Sequence, residues 1–94
     1  MSIIRCNVDL FSIDQTVYEQ DGDKVKVIAK VPMSNLGNFI AKYANEHNIN
    51  EVHLNGFTDF TVDIKNKIIE ASQVKFKNNG TINVILEKKG TNNE

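Results

Sequence analysis

Cysteine is almost absent from this chain of 94 residues, which contains one cysteine, one proline and no tryptophan. A single cysteine, Cys6, excludes an internal disulfide and any metal site built from several thiolates. Cys6 occupies an apolar position in the first predicted strand. That position indicates a buried thiol rather than a reactive one.

The chain has no excess of either charge, with 11 basic and 12 acidic residues and a formal net charge of −1. Proteins that bind phosphate backbones without specificity usually carry a clear basic excess, so this composition disfavours that class. No apolar run approaches the roughly 18–20 residues that a membrane helix needs. The first residues also lack the apolar core of a signal peptide. We therefore expect a cytoplasmic protein without membrane association.

What the chain does contain is the composition of an ordinary folded domain. Apolar residues make up 40% and charged residues 24% of the sequence. This balance is typical of globular rather than disordered proteins, and the length suffices for one hydrophobic core. We expect a single α/β domain over residues 1–88 and a disordered polar tail over 89–94.

Alternating apolar and polar residues predict five strands. The predicted ranges are 3–11, 16–19, 24–31, 51–55 and 81–87. In the first strand, Cys6 and Leu10 belong to the inward set, and in the third strand Val25 and Val27 do. The Asp21-Gly22 pair between the second and third strands predicts a hairpin, because glycine accepts the positive φ of a tight turn.

Two segments carry the spacing of amphipathic helices. The first follows Ser34, a good N-cap residue, and should end near Asn48. The second follows Thr58 or Asp59 and extends to about Phe76. The order is therefore β-β-β-α-β-α-β, and right-handed crossovers place both helices on the same face of the sheet. The prediction is a two-layer α/β fold with a mixed five-stranded sheet and two helices on one face.

The sheet face away from the helices, called the open face below, is the predicted functional surface. Strands covered on both faces read as continuous apolar runs, whereas these strands alternate. An exposed face that mixes charges with a few apolar residues is typical of plain solvated surface and equally of a docking surface. The predicted binding residues are Arg5, Asn7, Asp9, Lys26, Ile28, His53, Asn55, Asn83 and Ile85.

The sequence contains no recognisable catalytic or metal-binding motif. His47 belongs to the apolar stripe of the first helix and His53 to the open face, so the two histidines should not meet. Cys6 and His53 are expected on opposite faces of the sheet, which disfavours a nucleophilic pair. Asp9 and Asp59 are the only candidates for paired carboxylates. We predict no enzyme activity, no cofactor and no bound metal.

The β-β-β-α-β-α-β order resembles the core of the ribonuclease H-like fold without its last helix. Active nucleases of that fold place acidic residues on the first strand, the first helix, the end of the fourth strand and the last helix. Here Asp9 matches the first of these positions, Glu46 lies late on the helix and Asn55 replaces the acid of the fourth strand. The resemblance implies that metal-dependent cleavage is lost, because Mg²⁺ needs converging carboxylates.

A second resemblance lies in the sequence texture of residues 43–56 and 60–69, within a chain that is rich in asparagine, lysine and isoleucine. These segments resemble small proteins that bacteriophages and prophages of AT-rich hosts encode. Those proteins are mostly of unassigned function.

The leading hypothesis is a non-enzymatic phage or mobile-element accessory protein that binds another protein in the host cytoplasm, with a host or defence factor as its target. A second copy of the chain is another candidate occupant of the open face. The second hypothesis is nucleic-acid binding through the lysines of the third strand, Lys24, Lys26 and Lys30. The third is a nuclease centred on Asp9.

Overall fold

The computed structural model describes residues 2–56, 58–75 and 80–87 and confirms an α/β fold with a mixed five-stranded sheet and two helices. The strands are β1 (Ser2–Asn7), β2 (Asp14–Asp21), β3 (Lys24–Pro32), β4 (Glu51–Asn55) and β5 (Asn83–Glu87). The helices are α1 (Leu36–His47), which follows a 3₁₀ turn (Met33–Asn35), and α2 (Asp59–Lys75). Phe76 and the predicted tail over 89–94 lie outside the described residues.

The first strand of the chain lies at the centre of the sheet. The strand order is β3-β2-β1-β4-β5. β1, β2 and β3 form an antiparallel meander, whereas β4 and β5 run parallel to β1. This order is compatible with the ribonuclease H-like topology. Because β1 and β4 are parallel neighbours, their carboxyl ends meet at one end of the sheet.

One hydrophobic core fills the space between the sheet and the two helices. Its strand residues come from one side of the pleat. Fully buried examples from both layers are Ile4, Cys6, Val17, Val52, Leu54, Leu36, Ile40 and Ile68. The helices approach closely at Gly37, where an added Cβ would lie 3.2 Å from Cβ of Lys67. Glycine therefore sets the spacing of the helix pair.

The predicted N-cap of α1 is wrong, whereas its predicted end near Asn48 is confirmed. Ser34 lies inside the 3₁₀ turn, and Asn35 takes the N-cap position without a side-chain hydrogen bond, so the predicted cap is wrong. The helix does end at Asn48, which adopts the left-handed conformation with φ of 56°. Asparagine tolerates this conformation better than most residues with a Cβ atom. The chain then turns so that Ile49 enters the core.

β1 is shorter than its alternating pattern predicts. It ends at Asn7, and residues 8–13 form a loop before β2. Leu10, predicted to face the helices, is half exposed in this loop. The Asp9 carboxylate accepts local hydrogen bonds from Phe11 and Ser12, and the turn that they form ends the strand early.

β3 contains a β-bulge, and the predicted alternation of its first half is wrong. Val17 lies opposite Ala29 while Tyr18 lies opposite Val27, so Ile28 is the extra residue. A bulge shifts the alternation of side chains along the strand by one residue. Ile28 and Ala29 therefore pack against the core, whereas Val27 shares the open face with Tyr18.

The bulge exchanges the faces of the lysines and valines that precede it. Val25 and Val27 are 57% and 55% exposed on the open face, although they were predicted to face the helices. Lys24 and Lys26 lie on the helix side of the sheet, where each is opposite an acidic residue of β2. Opposite charges directly across an antiparallel pair stabilise it modestly.

Candidate functional site

Most of the predicted binding residues come together on the open face. The register of β1, β4 and β5 places them in adjacent rows of this surface. The residues concerned are Arg5, Asn7, His53, Asn55, Asn83 and Ile85. Asp9, Lys26 and Ile28 are not among them, because Asp9 lies in the β1–β2 loop and the bulge moves the other two to the opposite side.

Arg5 connects three strands across the middle of the open face. Its Nη1 donates to Oε1 of Gln20 on β2 at 3.1 Å, and its Nη2 donates to Oε1 of Glu87 on β5 at 3.3 Å. The Arg5 and Glu87 side chains are about one-third exposed. Partial exposure weakens the ion pair through screening, so its main effect is to fix the position of the guanidinium between Gln20 and Glu87.

His53 lies between two carboxylates on the same face. Its Nε2 is 2.6 Å from Oε2 of Glu51, and its Nδ1 is 3.3 Å from Oε2 of Glu87. The second contact has the distance of an ion pair but not the geometry of a hydrogen bond. Both ring nitrogens therefore face carboxylates of the protein. This arrangement leaves His53 poorly placed to act as a free base on a solute.

The side-chain amides of Asn7 and Asn55 close the row at the carboxyl ends of β1 and β4. They are hydrogen-bonded to each other at 2.8 Å. The reversed orientation of the Asn55 amide moves its nitrogen from Asn7 to Glu87, and the amide oxygen then accepts from Nη2 of Arg5 at 3.2 Å. The polar half of the open face is thus a connected network with its groups largely paired among themselves.

The other half of the open face, on β2 and β3, exposes apolar side chains between Thr16 and Lys30 at one end and Gln20 at the other. We call Tyr18, Val25 and Val27 the valine patch. Tyr18 pairs directly with Arg5 on one side and with Val27 on the other. A depression of about 480 Å³ lies where the two halves meet. It is lined by Arg5, Asn7, Tyr18, Gln20, Val25 and Asn55. A shallow surface with one aromatic, one arginine and exposed valines is suited to contacts with another macromolecule.

Sequence reasoning missed the valine patch and found the polar half. Val25 and Val27 were predicted to lie in the core because each is an even number of positions from Val31, which is buried. A signal for the bulge was nevertheless available. With a two-residue turn at Gly22 and Asp23, the odd-numbered residues of β2, whose side chains face inward, lie opposite even-numbered residues of β3. Val17 and Val31 both have odd numbers, so with that turn both can be buried only if β3 contains one extra residue.

Two titratable groups on the helix side of the sheet, Cys6 and Tyr43, are engaged in structure. Burial raises the pKa of the Cys6 thiol to about 12, which keeps it protonated at neutral pH. The hydroxyl of Tyr43 donates to Oε1 of Glu19 at 2.6 Å, and this hydrogen bond raises the pKa of Tyr43 to about 12. Within residues 2–56, 58–75 and 80–87, no three side chains among His, Cys, Asp and Glu converge as metal ligands would.

No protein-family model matches the chain, and comparison with curated proteins finds no match. Among the described residues, neither helix combines the length and apolar character required to cross a bilayer.

Proposed function

We propose that this protein is a non-enzymatic accessory protein that binds another protein through its open face, with the valine patch at the centre of the contact. The observation that carries the proposal is the exposure of Val25 and Val27 beside Tyr18. Each valine leaves more than half of its surface in water. Burying exposed apolar area against a partner is favourable by about 25 cal/mol per Å².

The neighbours of the valine patch support a protein partner. Tyrosine and arginine are enriched among the residues that dominate binding at protein interfaces, and Tyr18 pairs directly with Arg5. The polar half of the face then supplies a rim whose side chains are already held in place. Such preorganisation lowers the entropy lost on binding.

The charge of the open face does not favour nucleic acid. Of the three lysines in β3, only Lys30 lies on this face, opposite Thr16. Arg5 is paired with Glu87, and Glu51 and Glu87 both flank His53. A surface with this balance of charge releases few counterions from a phosphate backbone.

The proposed setting is a phage or other mobile element with a host protein as target. It is supported by the sequence texture of residues 43–56 and 60–69 alone. Inspection of the genes beside this one is the direct test, because structural and packaging genes would surround a phage accessory gene.

The binding surface is tested with the double variant Val25→Thr and Val27→Thr. Threonine keeps the β-branched shape that suits a strand but places a hydroxyl in the contact. A hydroxyl buried without a partner costs about 1–3 kcal/mol. The double variant should therefore bind the partner at least about tenfold more weakly. Partners are captured from host extract, purified, and titrated by calorimetry.

The matched control is Val62→Thr on α2, which makes the same chemical change at a residue that is exposed on the helix layer. It should bind like the wild type. Equal affinity of the double variant and the wild type would contradict the proposed surface. Light scattering supplies a second check, since a wild-type dimer that the double variant abolishes would assign the valine patch to a second copy rather than to a host protein.

A further inference from the structure

The loop between β1 and β2 exposes three large apolar side chains within four residues. Leu10, Phe11 and Ile13 are 50%, 97% and 86% exposed. Isolated exposed apolar residues are common on protein surfaces, but a contiguous group of them usually marks an interaction site. The loop lies at the carboxyl end of β1, beside the carboxyl end of β4.

The loop is held in one conformation by the side chain of Gln15. This side chain is 1% exposed. Its Oε1 accepts from the backbone nitrogen of Asp9 at 2.7 Å, while its Nε2 donates to the carbonyl oxygens of Asp9 and Ser12 at 2.9 and 3.0 Å. A buried amide that satisfies three backbone groups of one loop fixes the path of that loop.

Asp9 fixes the tip of the loop from the outside. Its carboxylate accepts from the backbone nitrogen of Phe11 at 2.9 Å and from the hydroxyl of Ser12 at 3.0 Å. The far end is tied to the start of the helix layer, because the backbone nitrogen of Met33 donates to the carbonyl of Ile13 at 3.3 Å. Phe11 and Ile13 are thus presented by an ordered backbone.

The charges of the loop favour one kind of partner. Residues 8–15 contain Asp9 and Asp14 and no lysine, arginine or histidine. Segments that insert into membranes carry basic residues towards anionic lipid, and nucleic-acid contacts need basic residues as well. An apolar tip flanked by carboxylates complements an apolar pocket with lysine or arginine at its rim.

We propose that the β1–β2 loop inserts Phe11 and Ile13 into an apolar, basic-rimmed pocket of a second protein. This site goes beyond the proposed function, because it uses the end of the sheet rather than the valine patch. A rigid loop with a large aromatic at its tip meets the description of an interface anchor.

The first experiment places the photoreactive residue p-benzoylphenylalanine at position 11 of the full chain and irradiates cells that express it. The control position is Asp23, which is exposed in the β2–β3 turn at the opposite end of the sheet. We expect one discrete protein adduct at position 11 that is missing at position 23. Mass spectrometry of the adduct should locate the crosslink in a pocket lined by apolar residues with lysine or arginine beside it.

The second experiment purifies the crosslinked protein and measures its affinity for three forms of the full chain. Phe11→Ser with Ile13→Ser should weaken binding by about thirtyfold or more, as loss of interface anchors does. The Val25→Thr and Val27→Thr variant should leave this affinity unchanged, which separates the loop site from the valine patch. Because the loop side chains are exposed, the thermal midpoint of the serine variant should match that of the wild type.

Four results would overturn the proposal. The first is an adduct with a second copy of the chain, and the second is equal adducts, or none, at positions 11 and 23. The third is an affinity that the serine variant does not change. The fourth is co-sedimentation of the wild type with phosphatidylcholine–phosphatidylserine vesicles, if the serine variant loses it.

Discussion

Cys6 illustrates how completely the environment of one residue sets its chemistry. The residue is fully buried in the core, and burial raises the pKa of its thiol to about 12. The reactive species is the thiolate, which is scarce at neutral pH in such a site and shielded from solutes as well. Two features of the sequence predicted this behaviour. The alternation of β1 places Cys6 on the apolar side of the strand, and no base is expected near it.

We predict that Cys6 does not react with Ellman's reagent in the native protein at pH 8. In 6 M guanidinium chloride the same reagent should release one equivalent of thionitrobenzoate per chain, because unfolding exposes the thiol and restores its ordinary pKa. Absorbance at 412 nm follows both reactions. A full equivalent released by the folded protein within minutes would contradict the burial of this residue.

At the scale of the element, the strands differ in how far their sequences determine them. β4 has the predicted bounds, because its alternation is regular and Gly56 follows it. β1 ends before its predicted bound and β3 departs from its predicted alternation, since in each a local hydrogen-bonded feature competes with the alternation. In β1 the Asp9 turn ends the strand early, and in β3 the two-residue turn at Gly22 forces a bulge at Ile28.

The candidate site was only partly predictable for the same reason. Parity in β1, β4 and β5 was sufficient to place Arg5, His53 and Asn55 on the open face. It was insufficient to predict which contacts these side chains make, because Arg5 contacts Glu87, which lies 82 positions away in the chain. Such a contact depends on the register of β1, β4 and β5, which no local pattern specifies.

The order of the β1–β2 loop depends on Gln15, and we predict that Gln15→Leu destabilises the fold by about 1–3 kcal/mol. Leucine fills similar space but leaves the backbone nitrogen of Asp9 and the carbonyl of Ser12 without the partners that Gln15 provides. Urea denaturation measures the change in the free energy of unfolding. The control is Ser12→Ala, which removes one exposed hydrogen bond and should cost less than about 0.5 kcal/mol. Equal stabilities of the two variants would contradict the role of Gln15.

At the scale of the whole molecule, the balance of charge limits the choice of partner. The formal net charge is −1 and the sequence pI is about 6.1. The structure adds that Lys24 and Lys26 lie opposite acidic residues of β2 on the helix side of the sheet. No basic stripe therefore follows the open face among the residues that the structure describes.

We predict no salt-sensitive binding to nucleic acid. Fluorescence anisotropy with labelled single-stranded RNA, single-stranded DNA and duplex DNA at low ionic strength should show no saturable rise. Each phosphate contact would contribute a slope of about −0.7 to −0.9 in a plot of log affinity against log salt. A slope of several units for any of the three probes would restore the nucleic-acid hypothesis.

From the central place of β1 in the sheet we expect a particular order of folding. β1 pairs with β2 through a short connection, but its other neighbour, β4, lies 48 positions later at the Asn7–Asn55 pair. Closing that longer separation costs more chain entropy than forming the meander. We therefore expect the three-stranded meander to assemble ahead of the parallel half. In that order of folding, one edge of β1 has no partner strand until β4 pairs with it.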